Sequence, residues 1–222
     1  GHAAPLLPPS TPPAPQNQMA EAAMLPATTP SLLAGSLKLE PCAVETVLEP
    51  LLASAAPIAQ DKALTLQANI PSTLPLVWVN PQALREVLNN LIENALKYTP
   101  TGGAVLVTAE VAPPQPWLEI AVTDTGCGIP PDDLPHIFER HYRGIQAQTD
   151  IPGSGLGLAI ARTLVEQMQG EIQVFSPALA HQLEAIKPNP SVQLGVGTTF
   201  IVRLAITQPP EVAQPQSTHK QQ

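Results

Sequence analysis

Four polar residues recur along one predicted helix of this 222-residue chain at the spacing of successive helical turns. Glu86, Asn90, Asn94 and Lys97 follow one another at intervals of four, four and three residues, which places them on one stripe of the helix. An amide oxygen can join the oxygen ligands of Mg²⁺, and a lysine ammonium can hold a phosphate. The stripe therefore indicates either a site for an anion with a hard cation or an ordinary solvated helix face.

A second candidate site is the segment VTDTGCGIP, residues 122–130, which directly follows a predicted strand. Gly126 and Gly128 allow a sharp turn and a close approach of a ligand to the backbone. Asp124, at the end of the strand, can accept a hydrogen bond from an exocyclic amine. The alternative is a plain strand-to-turn connection with aspartate as a turn residue. Cys127 is expected to be a small filler rather than a nucleophile, because no basic residue lies nearby in sequence to lower its pKa.

A third candidate site is the glycine-rich run GSGLGLAI, residues 153–160, which leads into an amphipathic helix. Free backbone N–H groups at the start of a helix favour phosphate. The run lacks the lysine of a P-loop, and its third glycine comes one residue too early for the dinucleotide-binding pattern. Taken alone, its three glycines are a weak signal.

The elements that must position these residues follow from hydrophobic periodicity. Asn80-Pro81 supplies a helix N-cap followed by proline at the first helical position. Pro50 falls inside another predicted helix and should kink it or delay its start. Strands and helices are mixed without strict alternation, which favours an α+β fold over a doubly wound sheet. The predicted strands are 36–39, 64–70, 76–79, 104–111, 117–123, 171–175 and 198–204, and the predicted helices are 44–55, 80–97 and 156–168, with a short helical turn near 132–138.

Composition separates residues 35–206 from the segments on either side. The chain has 28 prolines, and charged residues make up only 13%. Residues 1–34 are expected to be a proline-rich disordered linker beginning with a tag remnant, residues 35–206 a folded domain, and residues 207–222 a disordered tail. A net charge of −8 with only ten basic residues argues against nucleic-acid binding. Two distant cysteines and no long apolar run predict a cytoplasmic fragment without membrane contact, whose parent protein is either membrane-anchored or soluble.

Five segments in order resemble the boxes of sensor histidine kinases, which are members of the GHKL ATP-binding superfamily. NLIENALKYTP (90–100) resembles the N box, DTGCGIP (124–130) the G1 box, HIFERHYRG (136–144) the F box and GSGLGLAI (153–160) the G2 box. GTTF (197–200) is similar to the final glycine box. The resemblance covers about residues 36–205 and implies the Bergerat fold, a two-layer α/β sandwich in which helices cover one face of a mixed sheet, with a mobile ATP lid.

The resemblance also implies that the chain binds ATP and Mg²⁺, with roles for individual residues. Asn94 is the expected Mg²⁺ ligand, with Asn90 as its polar neighbour. Lys97 is expected to contact phosphate and Tyr98 to lie against adenine, whose amine donates to Asp124. Lys97, Arg140 and Arg143 are the expected catalytic residues, facing the phosphate that is transferred. The remaining expected nucleotide-binding residues are Gly126, Gly128, Gly153, Gly155, Leu156, Gly157 and Thr199.

One position favours phosphoryl transfer over hydrolysis. Hydrolytic members of the superfamily carry a glutamate one helical turn before the metal-binding asparagine, and Asn90 stands there in this chain. Because an amide cannot act as a general base, we expect a protein-histidine kinase catalytic domain. The alternatives are a nucleotide-binding scaffold without phosphotransfer and a GHKL ATPase.

The resemblance further implies partners outside this sequence. No phosphoacceptor motif precedes the domain, so the substrate histidine is expected on the kinase's own dimerisation domain, attached to a sensor region. A response regulator receiver domain is expected to take the phosphoryl group onward. Two departures stand out: His141 replaces an aromatic residue of the F box, and residues 177–193 form an unusually long connection, which is expected to hold an extra helical turn.

Overall fold

The structure, a computed structural model, describes residues 32–33, 35–113, 116–143, 154–186 and 195–206. Apart from residues 32 and 33, both predicted tails lie outside the described residues. Leu32, which falls in the predicted linker, is only 8% exposed and packs into the hydrophobic core. The core therefore takes at least one side chain from the proline-rich segment.

Four helices are described, one of them within the long connection. Asn80 caps the second helix as predicted, because its Oδ1 accepts a hydrogen bond from the Ala83 N–H at 3.0 Å and Pro81 occupies the first helical position. The expected extra helical turn is present as a helix of six residues. The helices are α1 (Glu45–Asp61), α2 (Pro81–Tyr98), α3 (Gly157–Gln167) and α4 (Ala180–Ala185).

Seven strands form two sheets in the described part of the chain. The larger sheet has the order β2-β4-β5-β7-β6, with β2 and β4 parallel and all other neighbours antiparallel. The smaller sheet pairs β1 with β3 in antiparallel fashion. The strands are β1 (Glu40–Cys42), β2 (Thr65–Asn69), β3 (Val77–Val79), β4 (Ala104–Ala112), β5 (Trp117–Asp124), β6 (Glu171–Phe175) and β7 (Thr198–Ala205).

The main core lies between the larger sheet and the three long helices. Helix α2 lies between α1 and α3 and contacts both. Alternate residues of the central strands face these helices, among them Val105, Val107, Leu118, Ile120 and Val202. The prediction of an α+β fold with a mixed sheet is confirmed, and the three long helices cover one face of that sheet.

The opposite face of the sheet carries a second, small cluster. Leu183 of α4 and Ile186, just after it, pack against Ala104 and Leu106 of β4. Gln182 of α4 is also buried and hydrogen-bonds Thr108 of β4 at 3.3 Å. The long connection therefore covers part of the sheet face that the three long helices leave open.

One local prediction was wrong, since the first strand occupies 40–42 instead of 36–39, where it pairs with β3. Helix α1 begins at Glu45 and runs through Pro50 and Pro57, so Pro50 does not delay its start. The helical turn expected near 132–138 is present as a run of turns at residues 131–138, in which the Leu134 N–H donates to the Pro130 carbonyl at 3.2 Å.

Candidate functional site

A cavity of about 360 Å³ lies between α2, the segment after β5, the segment before α3 and the start of β7. Its size falls within the usual range for small-molecule sites. It collects residues from all five motifs, which are far apart in sequence. Of the predicted site residues, those that line it are Asn90, Asn94, Lys97, Tyr98, Asp124, Gly128, Arg143, Gly155 and Gly157.

Helix α2 presents Asn90, Asn94 and Lys97 of its polar stripe to this cavity, while its opposite face is buried. The amide nitrogen of Asn90 donates to the Glu86 carbonyl at 2.9 Å. Its amide oxygen lies against α3, since a Cβ built on Gly157 would come within 2.7 Å of Oδ1. Glycine at position 157 therefore allows the start of α3 to approach the stripe.

Two cationic side chains meet at the α2 end of the cavity. Burial lowers the pKa of Lys97, the charge of Arg143 lowers it further, and the charge of Glu93 acts in the opposite direction. The Lys97 Nζ lies 5.1 Å from the centre of the Tyr98 ring. Adjacent positive charges repel one another, so a polyanion bound here would relieve that repulsion.

Asp124 is a buried acidic residue in the lining of the same cavity, with only 5% of its surface exposed. Burial raises its pKa to about 6, although backbone N–H groups of Gly126 and Thr198 donate to it and act in the opposite direction. The Gly126 N–H lies 2.7 Å from Oδ1. At neutral pH the group is therefore an ionised acceptor held in a low-dielectric environment.

The loop after Asp124 is braced by close backbone contacts. A Cβ on Gly126 would lie 2.6 Å from the Tyr98 carbonyl oxygen, and Gly128 has a φ of +78°. Ser176, at the end of β6, accepts a hydrogen bond from the Ile129 N–H at 2.7 Å and donates to the Gly197 carbonyl at 3.2 Å. Ser176 thus joins the loop to the start of β7, and the motifs gave no signal for it.

The F-box and G2-box segments contact each other at the cavity. The His141 N–H donates to the Gly155 carbonyl at 3.0 Å. A Cβ on Gly155, whose φ is +72°, would come within 2.8 Å of the His141 backbone. His141 itself has a φ of +61°, and the neighbouring Tyr142 donates its hydroxyl to Asp133 at 2.7 Å. The replacement of an aromatic residue by His141 therefore coincides with a left-handed backbone position.

Helix α3 begins at the cavity with Gly157 and has no side-chain cap on its first turn. The first backbone N–H groups of a helix have no partner within the helix, and they attract anions. Gly155 and Gly157 allow this segment to pack closely, since a Cβ at these positions would meet His141 and Asn90, respectively.

Four predicted residues do not line the cavity. Thr199 is fully buried on the other face of β7, where it hydrogen-bonds Thr123 at 3.0 Å; Thr198 lines the cavity instead, because successive residues of a strand point to opposite faces. Leu156 packs into the core, and Gly126 supports the loop from behind. Arg140 and Arg143 are both exposed, but of the two only Arg143 lines the cavity.

Gly153 lies outside the described residues.

Sequence reasoning missed several lining residues, including Glu93 on α2, Asp133 and the apolar residues that enclose the cavity. Glu93 lies three residues after Asn90 and four before Lys97, so helical spacing could have found it. The apolar lining residues come from separate loops, a helix and a strand, and only the fold brings them together. The missed residues are Glu93, Ala95, Cys127, Ile129, Pro130, Asp133, Ile137, Tyr142, Ser154, Leu158, Thr198 and Phe200.

The side chains at the α2 end suit Mg²⁺ bound together with phosphate. Asn90 and Asn94 supply amide oxygens, and Glu93 supplies a carboxylate. Among the described residues, no group of three or more His, Cys, Asp or Glu side chains is placed to hold a metal ion. That donor set fits a cation that keeps water ligands and shares the phosphates of a substrate.

None of the helices in the described ranges has the length and apolar character needed to cross a membrane.

Comparison with known proteins agrees with this geometry. Residues 79–208 match the family model described as histidine kinase-, DNA gyrase B- and HSP90-like ATPase. Sensor histidine kinase Hik2 of Synechocystis sp. is 47% identical over 135 residues, which are 59% of this chain and 31% of that protein. Adaptive-response sensory kinase SasA of Rippkaea orientalis is 38% identical over 119 residues, 54% of this chain and 30% of that protein. The chain thus spans about a third of the length of these curated relatives.

A solved structure extends the likeness to most of the chain. The full-length ShkA crystal structure, in complex with AMPPNP, is 31% identical with a TM-score of 0.60 over 82% of this chain and 35% of that one. These comparisons agree with both the fold and the motifs, and the family match covers more than half of the sequence. The chain belongs to the family of histidine kinase-, DNA gyrase B- and HSP90-like ATPases.

Proposed function

We propose that this chain is the catalytic domain of a sensor histidine kinase and binds MgATP in the cavity described above. The observation that carries the proposal is the arrangement of one buried carboxylate, Asp124, and two cations, Lys97 and Arg143, in a single cavity. Asp124 accepts a hydrogen bond from the adenine amine, and Tyr98 lies along the base. The cations and the start of α3 receive the phosphates.

Metal binding belongs to the α2 stripe in this proposal. Asn94, with Asn90 beside it, holds Mg²⁺ through amide oxygens. When bound, the ion neutralises charge on the phosphates and supports the transfer. The contribution of the chain is to position Lys97 and Arg143 against the phosphate end and the backbone N–H groups after Gly155 against the remaining oxygens.

The phosphoryl acceptor in this proposal is a histidine on the dimerisation domain of the intact kinase, and a response regulator receives the group from there. The similarity to Hik2 and SasA, both named as kinases, supports this acceptor. Asn90 also supports it, because its amide nitrogen already donates to Glu86 and an amide offers no general base for water. The proposal places the domain in the cytoplasm.

The test is phosphorylation in trans. This chain is mixed with the helical acceptor domain of the same kinase and MgATP, and acid-labile phosphohistidine is measured on the acceptor. Label is expected on the acceptor and is expected to disappear with Asn94→Ala, while Gln82→Ala, an exposed change on the same helix outside the cavity, leaves it unchanged. Nucleotide binding without any label on the acceptor would replace the kinase with a nucleotide-binding scaffold.

Hydrolysis of ATP is the second candidate, because Glu93 and Asp133 bring carboxylates to the cavity lining. It predicts steady release of phosphate by this chain alone, without the acceptor domain. Absence of release under conditions that label the acceptor excludes it.

A further inference from the structure

Lys62, the first residue after α1, reaches the far end of α2. Its Nζ donates hydrogen bonds to the carbonyl oxygens of Leu96, Lys97 and Thr99, the last two at 3.2 and 3.3 Å. A lysine ammonium has three N–H donors, so these bonds use all of them. The residue lies outside the five motifs and outside the matched range 79–208.

The backbone on either side of Lys62 is held against the loop that follows α2. Ala63, next in the chain, has a φ of +53°, and its carbonyl accepts a hydrogen bond from the Gly102 N–H at 3.1 Å. The Thr65 N–H then donates to the Gly103 carbonyl at 2.9 Å. Burial lowers the pKa of Lys62, as expected for an ammonium enclosed between two elements. The side chain therefore occupies a fixed place at the end of α2.

The carbonyls of Leu96 and Lys97 are among those that a helix leaves unpaired at its C-terminus, where a positive charge is favoured, and Thr99 is the residue that follows the helix. They belong to the same turn as Lys97 and Tyr98, whose side chains line the cavity. The Tyr98 carbonyl faces the other way, against Gly126. This turn is thus held from one side by Lys62 and from the other by the loop after β5.

Lys62 acts on this turn through the backbone. The charges that shift the pKa of Lys97 are those of Arg143 and Glu93. Lys62 hydrogen-bonds the carbonyl of Lys97, and this bond fixes the point at which the Lys97 side chain leaves the helix.

We propose that Lys62 is a positioning residue that orients the Lys97 ammonium toward the phosphates of the nucleotide. The proposal rests on nucleotide binding at the cavity. It assigns a role in substrate binding to a residue of the α1–β2 connection, which does not touch the cavity.

The experiment measures affinity for MgATP and for adenosine by direct titration of the full chain, well below its melting temperature. Lys62→Met is expected to weaken MgATP binding about tenfold, because a displaced cation loses its charge-assisted bonds. Adenosine has no phosphate, and its affinity is expected to change less than about twofold. Lys38→Met is the matched control, since Lys38 is exposed and is expected to change neither affinity.

A double-mutant cycle with Lys97→Met separates positioning from general destabilisation. If Lys62 acts through Lys97, Lys62→Met costs less than about twofold in MgATP affinity once Lys97 is absent. Equal losses in both backgrounds would overturn the proposal, as would a lower melting temperature with unchanged MgATP affinity. If Lys62→Met does not fold, Lys62→Gln, which keeps a donor, takes its place and the same pattern is required. Failure of the unaltered chain to bind MgATP would instead refute the proposed function.

Discussion

At the scale of single residues, Asp124 carries the largest electrostatic cost at the site. Its pKa of about 6 in the fold lies above the ordinary aspartate value of 3.8, so the folded state binds more protons than the unfolded state between those values. The free energy of unfolding therefore falls as pH rises through that window, by about 3 kcal/mol for a shift of this size.

Replacing this carboxylate should stabilise the empty domain while weakening its binding of adenosine. Asp124→Asn is expected to raise the free energy of unfolding at pH 7 by about 1–3 kcal/mol and to weaken adenosine binding, because an amide presents a donor as well as an acceptor. Denaturant unfolding from pH 4 to pH 7 measures the first effect, as a gap from the unaltered chain that widens with pH. A variant that is less stable than the unaltered chain at pH 7 would contradict the expectation.

Asn94 gives a prediction about metal dependence. Asn94→Ala removes an amide oxygen from the α2 stripe and is expected to abolish the part of ATP affinity that depends on Mg²⁺, leaving adenosine affinity unchanged. Titrations with and without Mg²⁺ measure the difference. Gln82→Ala is the control on the same helix, and an equal loss of ATP affinity with and without Mg²⁺ would argue against metal binding at Asn94.

At the scale of elements, two glycines of the segment before β7 show how tightly it is joined to the loop after β5. The Gly195 and Gly197 N–H groups donate to the Thr125 and Gly126 carbonyls at 3.2 and 3.0 Å. A Cβ on Gly195 would come within 1.9 Å of the Gly126 oxygen. The segment between the long connection and β7 is therefore part of the wall behind Asp124.

Gly195→Ala is accordingly expected to destabilise the domain by about 1–3 kcal/mol, since backbone must move to admit the methyl group. It is also expected to weaken adenosine binding, because the displaced backbone is that of Gly126, which donates to Asp124. Gly35→Ala is the matched control, as nothing lies within 4 Å of its added Cβ. Thermal unfolding and adenosine titration measure both effects; equal behaviour of the two variants would contradict the close packing.

At the scale of the whole molecule, this chain should bind nucleotide without phosphorylating itself. MgATP at about one hundred times its Kd should add about 2.7 kcal/mol to the free energy of unfolding. Incubation with labelled ATP should leave this chain unlabelled, because the proposed acceptor histidine belongs to another domain. Stoichiometric acid-labile label on this chain would show that it contains its own acceptor.

The sequence predicted most of the fold because periodicity and caps act locally. Strand β6 and the start of α2 lie where the pattern placed them, and the α2 stripe does face a cavity. Thr199 was misplaced because a motif does not state which face of a strand each residue takes, and the register with β5 decides this. Lys62 and Ser176 were missed because their hydrogen bonds join segments that meet only in the folded chain. Lys62 bonds Leu96, which is 34 positions away, and Ser176 bonds Ile129, which is 47 positions away.

The two ends of the segment between β6 and β7, which contains the long connection, are hydrogen-bonded to each other. The Ala178 N–H donates to the Val196 carbonyl at 3.0 Å, so the strands it joins are already linked at its base. Extra residues beyond such a closed base add mainly loop entropy, about 0.6 kcal/mol for each doubling of length. This connection is therefore the place at which a reporter domain can be inserted with little effect on stability, as long as α4 keeps its contacts with β4.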